Sequence, residues 1–460
     1  PEESVGESRS VRFVLNITPP LGLAYLGAVL ERAGHRVKIV DYTARFPYPP
    51  LPDLLKEFPP NLVGLTATTP SFESARRLAG QLRKMAPAVP IVLGGAHVTC
   101  VPEAVAADGL FAGGIIGEGE ETMVELAERL QGGCFSGLTE VKGIVYPEGN
   151  SVRKTPVRPF ISDLDSLPFP AYGLLPPLKH YHPTPASYRK LPVGILMTSR
   201  GCPFKCTFCD RSIFGNTTRF HSPDRVLAEV EWMIRKLGAR EIRFFDDTFT
   251  LRKDRVQEIC AGIRERKLKF PWTCLTAVKT VTPELLKEMR AAGCRQVLYG
   301  LESGDDRMLK LLGKGNTVED NRKAVRWAKA AGLEVRGDFI VGTPGETMES
   351  LEKTLKFTLE SGLDYAHFNK FTPFPGTELY RRLAAKGYSF DFSHGCSILD
   401  HGALLFVPES LDREEYRRWL DRAFKKFYLR PSHVFQRLLA IRTWTQFRGQ
   451  IRGALAIAGL

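Results

Sequence analysis

Three cysteines within eight residues carry the clearest chemistry in this sequence. Cys202, Cys206 and Cys209 form a Cys-x3-Cys-x2-Cys pattern directly after a short apolar run. Thiolates are the usual protein ligands of iron–sulfur clusters, and three of them can hold three irons of a [4Fe–4S] cubane. A structural zinc site is the alternative, but it commonly uses two Cys-x2-Cys pairs, and the sequence has no second pair. The spacing therefore predicts a cluster whose fourth iron is open.

The same segment, Met197-Thr-Ser-Arg-Gly-Cys202-Pro-Phe-Lys-Cys206-Thr-Phe-Cys209, resembles the signature of the radical S-adenosylmethionine (SAM) superfamily. The aromatic Phe208 before the third cysteine is part of that resemblance. It implies that the open iron is chelated by the amino and carboxylate groups of SAM. An electron from the cluster would then cleave SAM to methionine and a 5′-deoxyadenosyl radical.

Three further segments resemble the parts of these enzymes that contact SAM. Phe245-Asp246-Asp247-Thr248 is similar to the motif that faces the SAM amino group, Tyr299–Gly304 to the one at methionine and ribose, and Arg336–Glu346 to the one that lines adenine. Helix capping by the two aspartates and purely structural loops are the alternatives. The residues that the resemblance places at SAM are Phe208, Asp246, Asp247, Glu302, Ser303, Arg336, Gly342 and Pro344.

One segment departs from the related enzymes. Where that branch usually has a Cys-Asn-Thr-Arg-Val-Asp-like third strand, this chain has Cys274-Leu-Thr-Ala-Val-Lys279. The missing Arg and Asp predict a different substrate pocket.

The N-terminal third resembles the cobalamin (B12)-binding domain that precedes the barrel in one branch of the superfamily. Pro19–Leu26 and Gly34–Val37 carry the first part of that resemblance. The residues that it places at cobalamin are Thr66, Thr68, Gly94, Gly95, His97, Gly117 and Glu118. The Asp-x-His-x-x-Gly motif of methionine synthase-like domains is absent, so a lower cobalt face without a histidine is expected, and His97 is either a ligand or a polar loop residue. A domain that has lost cobalamin or only binds a partner is the alternative.

The branch contains cobalamin-dependent methyltransferases, the anaerobic magnesium-protoporphyrin monomethyl ester cyclase and hopanoid-processing enzymes. The resemblance implies an enzyme that uses a [4Fe–4S] cluster, SAM and cobalamin, with an external electron donor of the flavodoxin or ferredoxin type. Methylation of an unactivated carbon of a small-molecule or lipid-like substrate is the main hypothesis, and cyclisation or rearrangement without methyl transfer is the first alternative. A tRNA methylthiotransferase would carry three more cysteines in the first domain, where only Cys100 and Cys134 lie. A non-catalytic cobalamin or cluster sensor is the third alternative.

These residues need a scaffold of alternating strands and helices. We predict an α/β protein with a Rossmann-like B12-binding domain at 1–148, a proline-rich linker at 149–192, a partial (β/α)6 barrel at 193–388 and a mainly helical basic region at 389–460. In the first domain the predicted elements are Leu21–Ala33, Val37–Val40, Leu62–Thr66, Ser71–Met85, Ile91–Leu93, Ile115–Ile116 and Thr122–Leu130. Its first strand is either Arg12–Ile17 or a segment before Pro1.

The barrel is predicted from six strand and helix repeats. The predicted strands are Gly194–Thr198, Glu241–Phe245, Trp272–Ala277, Gln296–Leu301, Glu334–Val341 and Tyr365–Phe371. The predicted helices are Pro223–Leu237, Asp254–Glu265, Pro283–Ala292, Val318–Ala331, Met348–Ser361 and Thr377–Ala385. In such barrels the site lies at the carboxyl ends of the strands.

Composition bounds the remaining possibilities. The chain has 460 residues, 43% of them hydrophobic, and an odd count of nine cysteines, which does not fit a secreted disulfide scaffold and favours a reducing cytoplasmic setting. No apolar run is long enough for a membrane-spanning helix. The net charge of +13 is partly a property of the tail, where residues 422–460 carry eight Lys or Arg and no Asp or Glu. That tail either lies on an anionic membrane surface or packs across the barrel, and nucleic acid is an unlikely partner.

Overall fold

The computed structural model describes residues 16–129, 138–184, 187–393, 404–441, 447–448 and 451. They form an N-terminal α/β domain, a partial barrel and C-terminal helices, which confirms the predicted fold class. Residues 12–15, the main part of one candidate first strand, and Cys134 lie outside the described residues. The same holds for most of the tail beyond residue 441.

The first domain contains a five-stranded sheet in sequential order. Its strands are β1 (Val63–Thr66), β2 (Ile91–Gly94), β3 (Gly113–Ile115), β4 (Ile144–Glu148) and β5 (Ser151–Lys154). Its helices are α1 (Leu21–Arg32), α2 (Leu51–Glu57), α3 (Phe72–Met85), α4 (Ala96–Cys100), α5 (Pro102–Ala107) and α6 (Glu120–Arg129). The pairs β1–β2 and β2–β3 are parallel, so these strands end at one edge of the sheet. Apolar side chains from the two faces of β2 enter two separate cores, which explains its continuous apolar sequence.

Two features of this domain differ from the sequence predictions. Val37–Val40 is irregular rather than a strand, and β1 lies at the edge of the described sheet. The sheet also continues past the predicted boundary at residue 148, because β5 pairs antiparallel with β4 across a tight turn at Gly149 and Asn150. Gly149 has a φ of +60°, which favours glycine there.

The connecting segment is anchored by buried side chains. Leu164, Tyr172 and Tyr181 are all buried, and the Tyr172 hydroxyl donates to the carbonyl of Ile195 at 2.6 Å. The described residues of this proline-rich segment contain no α-helix. The segment nevertheless packs on both domains.

The barrel is a sheet of six parallel strands. In spatial order these are β6 (Val193–Leu196), β9 (Glu241–Phe244), β10 (Trp272–Thr276), β11 (Cys294–Glu302), β12 (Glu334–Val341) and β13 (Tyr365–Lys370). The helices of this part are α7 (Pro223–Lys236), α8 (Lys253–Glu265), α9 (Pro283–Ala291), α10 (Asp306–Leu311), α11 (Val318–Ala330), α12 (Met348–Glu360) and α13 (Glu378–Ala385). A two-stranded ribbon, β7 (Ser199–Arg200) and β8 (Arg219–Phe220), projects after β6. The predicted partial (β/α)6 barrel is confirmed.

The described part of the basic tail packs on the barrel. Helices α14 (Arg413–Tyr428) and α15 (Pro431–Ala440) follow the last barrel helix. Trp419 and Phe427 are fully buried, and Trp419 makes an edge contact with Phe368 of β13. The apolar face of α14 is therefore used within the protein. Within the described ranges, none of the helices combines the length and apolar character needed to cross a bilayer.

Candidate active site

The three cysteines lie on the loop that joins β7 to β8, beside the carboxyl end of β6. The loop begins at Gly201, whose φ is +92° and where a Cβ atom would lie 2.4 Å from the carbonyl oxygen of Thr217. Backbone and side-chain hydrogen bonds hold the rest: Thr207 N donates to the Leu312 carbonyl at 2.9 Å, and Arg211 Nη1 donates to the Phe204 carbonyl at 2.6 Å. The loop conformation is therefore defined by its surroundings.

The three thiols could serve as ligands of an iron–sulfur cluster. No three His, Cys, Asp or Glu side chains of the described residues surround one ion position, whereas a cubane needs each thiolate to reach a different iron. The backbone N of Cys209 donates to the carbonyl of Cys206 at 3.3 Å, so these two cysteines lie on one turn of the loop. Burial, followed by the charge of Asp247, raises the pKa of Cys209 to about 12. Bound iron would replace that proton, because coordinating thiols are deprotonated.

The two aspartates after β9 lie in different surroundings. Asp246 is fully buried and accepts hydrogen bonds from Thr198 N at 2.6 Å, Thr198 Oγ1 at 2.5 Å and Ser199 Oγ at 2.7 Å. Asp247 as a whole residue is exposed. Partial desolvation of its carboxylate, followed by the negative charge of Asp246, raises the pKa of Asp247. Asp247 is therefore the carboxylate with free acceptor capacity beside the cysteine loop, while Asp246 fixes the strand that leads into that loop.

This difference predicts distinct phenotypes for two matched substitutions. Asp247→Asn should raise the KM for SAM by roughly tenfold with unchanged iron content, because the predicted charge-assisted hydrogen bond to the SAM amino group would be lost. Asp246→Asn should instead lower the melting temperature, since its three donors lose a carboxylate partner. The rate of 5′-deoxyadenosine formation against SAM concentration tests both. A raised KM in Asp246→Asn alone would assign SAM binding to Asp246 instead.

The other residues predicted to bind SAM are only partly brought together. Glu302 has an unusual φ of +62° and accepts a hydrogen bond from Lys314 Nζ at 2.8 Å. Lys314 Nζ also lies 5.9 Å from the ring centre of Phe208, so these three side chains are close to one another. Ser303 is buried and its Oγ lies 3.1 Å from Thr354 Oγ1, which gives it a structural partner.

The residues on and just after β12 that were predicted to contact SAM differ in burial. Arg336 makes two hydrogen bonds to Asp338, at 2.9 and 2.8 Å, inside the barrel. Gly342 has a φ of +77°, and a Cβ atom there would lie 2.3 Å from the hydroxyl of Tyr416 on α14. Pro344 is partly exposed two residues further on. The C-terminal helix therefore supports the loop predicted to line adenine.

Lys314 is a site residue that sequence analysis missed. Burial lowers and Glu302 raises its pKa, with the net result above the ordinary value, so it stays a cation near Cys206. The signal in the sequence is Gly313-Lys314-Gly315, because both glycines have positive φ and form the turn that aims the lysine inward.

A large cavity lies at the carboxyl ends of β1 and β2. Its volume is about 950 Å³, at the upper end of the range for ligand pockets. Six of the seven residues predicted to contact cobalamin line it: Thr66, Thr68, Gly94, Gly95, Gly117 and Glu118. On the barrel side it is lined by Met197, Arg200, Ile213 and Phe214, which flank the cysteines in sequence.

Two glycines shape this cavity. Gly95 has a φ of +100°, and a Cβ atom there would lie 2.7 Å from the Ala67 carbonyl oxygen and 2.8 Å from Thr66 Oγ1. At Gly94 the nearest atom to a Cβ would be 3.8 Å away. A flat cofactor could therefore approach the backbone closely at this edge, which fits a corrin ring or its tail.

The seventh residue, His97, does not line the cavity. Its ring stacks on Phe72 with centres 3.9 Å apart, and Nδ1 lies 3.2 Å from Thr69 Oγ1. Burial lowers its pKa to about 4, so it is neutral. The structure places His97 in the core between α4 and α3 rather than with the other candidates.

Buried charges join the two domains between the cavity and the cysteine loop. Arg200 donates to Glu118 Oε1 at 2.9 Å and to Glu120 Oε1 at 2.6 Å, and Arg219 donates to Glu118 Oε2 at 2.7 Å. Arg200 is the residue before Gly201, where the cysteine loop begins. The position of that loop relative to the first domain is therefore fixed by ion pairs.

Comparison with known proteins identifies two families in the chain. A family model of the radical SAM superfamily matches residues 196–358, and a model of the B12 binding domain matches residues 11–127. An uncharacterized methyltransferase of Pyrococcus horikoshii is 37% identical over 93% of this chain and 91% of its own length. The cytidylyl-2-hydroxyethylphosphonate methyltransferase of Streptomyces wedmorensis is 30% identical over 91% and 88%.

One further relative is a cyclase rather than a methyltransferase. The anaerobic magnesium-protoporphyrin IX monomethyl ester cyclase of Cereibacter sphaeroides is 30% identical over 90% of this chain and 68% of its own length. Among solved structures, the radical SAM methyltransferase TsrM of Kitasatospora setae, with cobalamin and a [4Fe–4S] cluster bound, superposes with a TM-score of 0.71 over 96% of both chains. At 17% identity that match shows a shared fold.

Proposed function

Because this chain belongs to the radical SAM enzymes that carry a B12-binding domain, we propose that it methylates an unactivated carbon of a small-molecule or lipid-like substrate. Enzymes of this kind use a [4Fe–4S] cluster, SAM and cobalamin. The observation that carries the proposal is the cavity of the first domain, which is closed on one side by residues flanking the cluster cysteines. Two cofactor sites that share a wall can act on one substrate.

The residues of this chain would divide the work by position. When bound, the cofactors supply a hydrogen-abstracting radical derived from SAM and a transferable methyl group. Cys202, Cys206 and Cys209 would hold the cluster, and Asp247 would orient SAM. The glycines of the first domain would admit cobalamin, and the ion pairs of Arg200 would hold the two sites in register. The barrel lumen would exclude water from the reacting carbon.

We also propose an external one-electron donor of the flavodoxin or ferredoxin type. Lys205 is exposed between two cluster cysteines, and the net charge of the chain is +13. This favours docking of an acidic protein near the cluster. Contact of the C-terminal region with a membrane surface, from a cytoplasmic location, stays a prediction.

A cavity-filling variant tests cobalamin binding. Gly94→Leu should reduce retained cobalamin at least about tenfold, because its side chain would enter the cavity. Cluster absorption should be unchanged. Gly173→Leu is the matched control, since Gly173 is exposed and has no atom within 4 Å of a Cβ. Both variants are reconstituted anaerobically with iron, sulfide and hydroxocobalamin, desalted and examined by absorption. Equal retention by Gly94→Leu and wild type would contradict the assignment of the cavity.

The reaction itself is tested by mass. With SAM, a reductant and candidate substrates, the holoenzyme should form 5′-deoxyadenosine and a product that has gained one CH2 unit. With SAM labelled in its methyl group, the label should appear in that product. Turnover of SAM with an unlabelled product of unchanged carbon count would favour cyclisation or rearrangement. Absence of 5′-deoxyadenosine would favour a sensor.

A further inference from the structure

The lumen of the barrel is lined by alternate residues of its strands. Ile242 and Phe244 of β9 pack into the core with the outer helices, so Arg243 between them faces the lumen. By the same alternation Val335 and Phe339 of β12 face the helices, while Arg336 faces the lumen. Asp338 and His367 lie opposite each other in the β12–β13 register. These polar residues form one layer inside the barrel.

Within the described part of the chain, no hydrogen-bond acceptor contacts Nη1 of Arg243. Only 8% of its surface is exposed. Nη1 has no hydrogen-bond partner, and among the described residues the contact of the side chain is with the ring of Phe245, 4.8 Å from the guanidinium carbon. Two other buried arginines of the barrel strands are paired: Arg295 with Glu241 and Glu334, and Arg336 with Asp338. A buried guanidinium without an acceptor is costly.

The carboxylates near Arg243 already have other partners. His367 Nδ1 lies 3.5 Å from Asp338 Oδ1, but burial followed by Arg336 lowers the pKa of His367 to about 4, so it is neutral. Two arginines therefore face one carboxylate. Burial, followed by the charge of Arg336, lowers the pKa of Arg243 to about 9. The carboxylates of Glu241, Glu334 and Asp338 are all paired with Arg295 or Arg336, and no hydrogen bond joins any of them to Arg243 within the described residues.

The lumen also has space beside these groups. The side chains of Asp338 and His367 keep 17% and 24% of their accessible surface, and Phe245 keeps 37%. Leu275 and Ile340, which alternate with core residues on β10 and β12, are only partly buried. A ligand in the lumen would therefore meet an arginine and an apolar wall together.

We propose that Arg243 binds an anionic oxygen group of the substrate, a carboxylate or a phosphonate or phosphate, while the body of the substrate lies against Phe245. This inference deepens the proposed function and rests on the barrel being the substrate site. It makes Arg243 a specificity-determining residue. The anionic group of the substrate then supplies the acceptor that Arg243 lacks within the described residues.

The test is a binding measurement that needs no turnover. Phenylphosphonate and benzoate are the anionic probes, and benzamide is the neutral match. Each is titrated by calorimetry into the reconstituted holoenzyme with saturating SAM and no reductant, so that the carboxylate of SAM is already bound. Wild type should bind at least one anion about ten times more tightly than benzamide. The preferred probe distinguishes a phosphonate from a carboxylate substrate.

Variants then assign the preference. Arg243→Gln should abolish it, Arg243→Lys should retain part of it, and Arg235→Gln, on the exposed face of α7, should leave it unchanged. Iron content and melting temperature report whether each variant is folded. A preference that persists in Arg243→Gln, or wild type without any preference, overturns the proposal. Because no methyl transfer is measured, that result would leave the proposed function standing, and loss of methyl transfer would not affect the anion assay.

Discussion

Alanine at any one of Cys202, Cys206 and Cys209 should abolish formation of 5′-deoxyadenosine, to below about one thousandth of the wild-type rate. Each thiolate would hold a different iron, so loss of one would leave a labile cluster. The loop itself should survive, because its backbone bonds to Leu312 and Gly215 do not involve the sulfurs. Iron and sulfide content and anaerobic 5′-deoxyadenosine assays measure the effect.

The matched control is Cys260→Ala. Cys260 is also a thiol of the barrel part, buried on α8, and is remote in sequence from the loop. We expect it to keep its cluster and its SAM cleavage while losing a small amount of stability from packing. Wild-type turnover in any of the three loop variants, or loss of the cluster in Cys260→Ala, would contradict the assignment of the ligands.

Arg200→Met should lower the free energy of unfolding by about 3–5 kcal/mol, because removing one partner of a buried ion pair leaves an uncompensated charge. Glu120 is buried and its one hydrogen bond among the described residues is to Arg200. Glu118 keeps Arg219 and the backbone N of Ile161 at 2.9 Å. The cost should therefore arise mainly at Glu120. Urea unfolding and the melting temperature measure it.

A double variant separates charge from packing. Adding Glu120→Gln to Arg200→Met removes the orphaned carboxylate and should restore part of the lost stability, whereas independent effects would add. Arg235→Gln breaks an exposed pair with Glu231 and should change stability by less than about 1 kcal/mol. A double variant as unstable as the sum of its parts would show that Arg200 acts through packing on Tyr25 and Phe214, 5.0 and 5.4 Å from its guanidinium carbon.

Much of the scaffold could be predicted from local patterns. The six barrel strands were predicted because each buried strand is a short apolar run followed by an amphipathic helix, and helix α3 begins and ends within one residue of its prediction. Val37–Val40 has the same apolar pattern and is irregular, since a strand also needs a neighbour to pair with. The β4–β5 hairpin was missed because β5 is polar and exposed.

The candidate site also contains residues that local sequence could predict and one whose orientation it could not. Spacing and residue type pointed to the three cysteines, because ligands on one short loop are close whatever the rest of the chain does. Six cavity residues also came from motifs at the ends of strands, since parallel strands end at one edge. His97 lies two residues after Gly95, but its helix turns the ring toward Phe72. Local sequence could not show which way that ring points.

The sequence by itself thus determined the cofactor chemistry, the order of the domains and the strands that carry the candidate residues. Only the tertiary structure decided which charges meet: Arg200 with Glu118 and Glu120 across the domain junction, and Lys314 with Glu302, while Nη1 of Arg243 has no acceptor among the described residues. The physical reason is that ligand spacing and hydrophobic periodicity are properties of neighbouring residues. Burial and pairing of a charge depend on residues far apart in the chain, which the fold alone brings together.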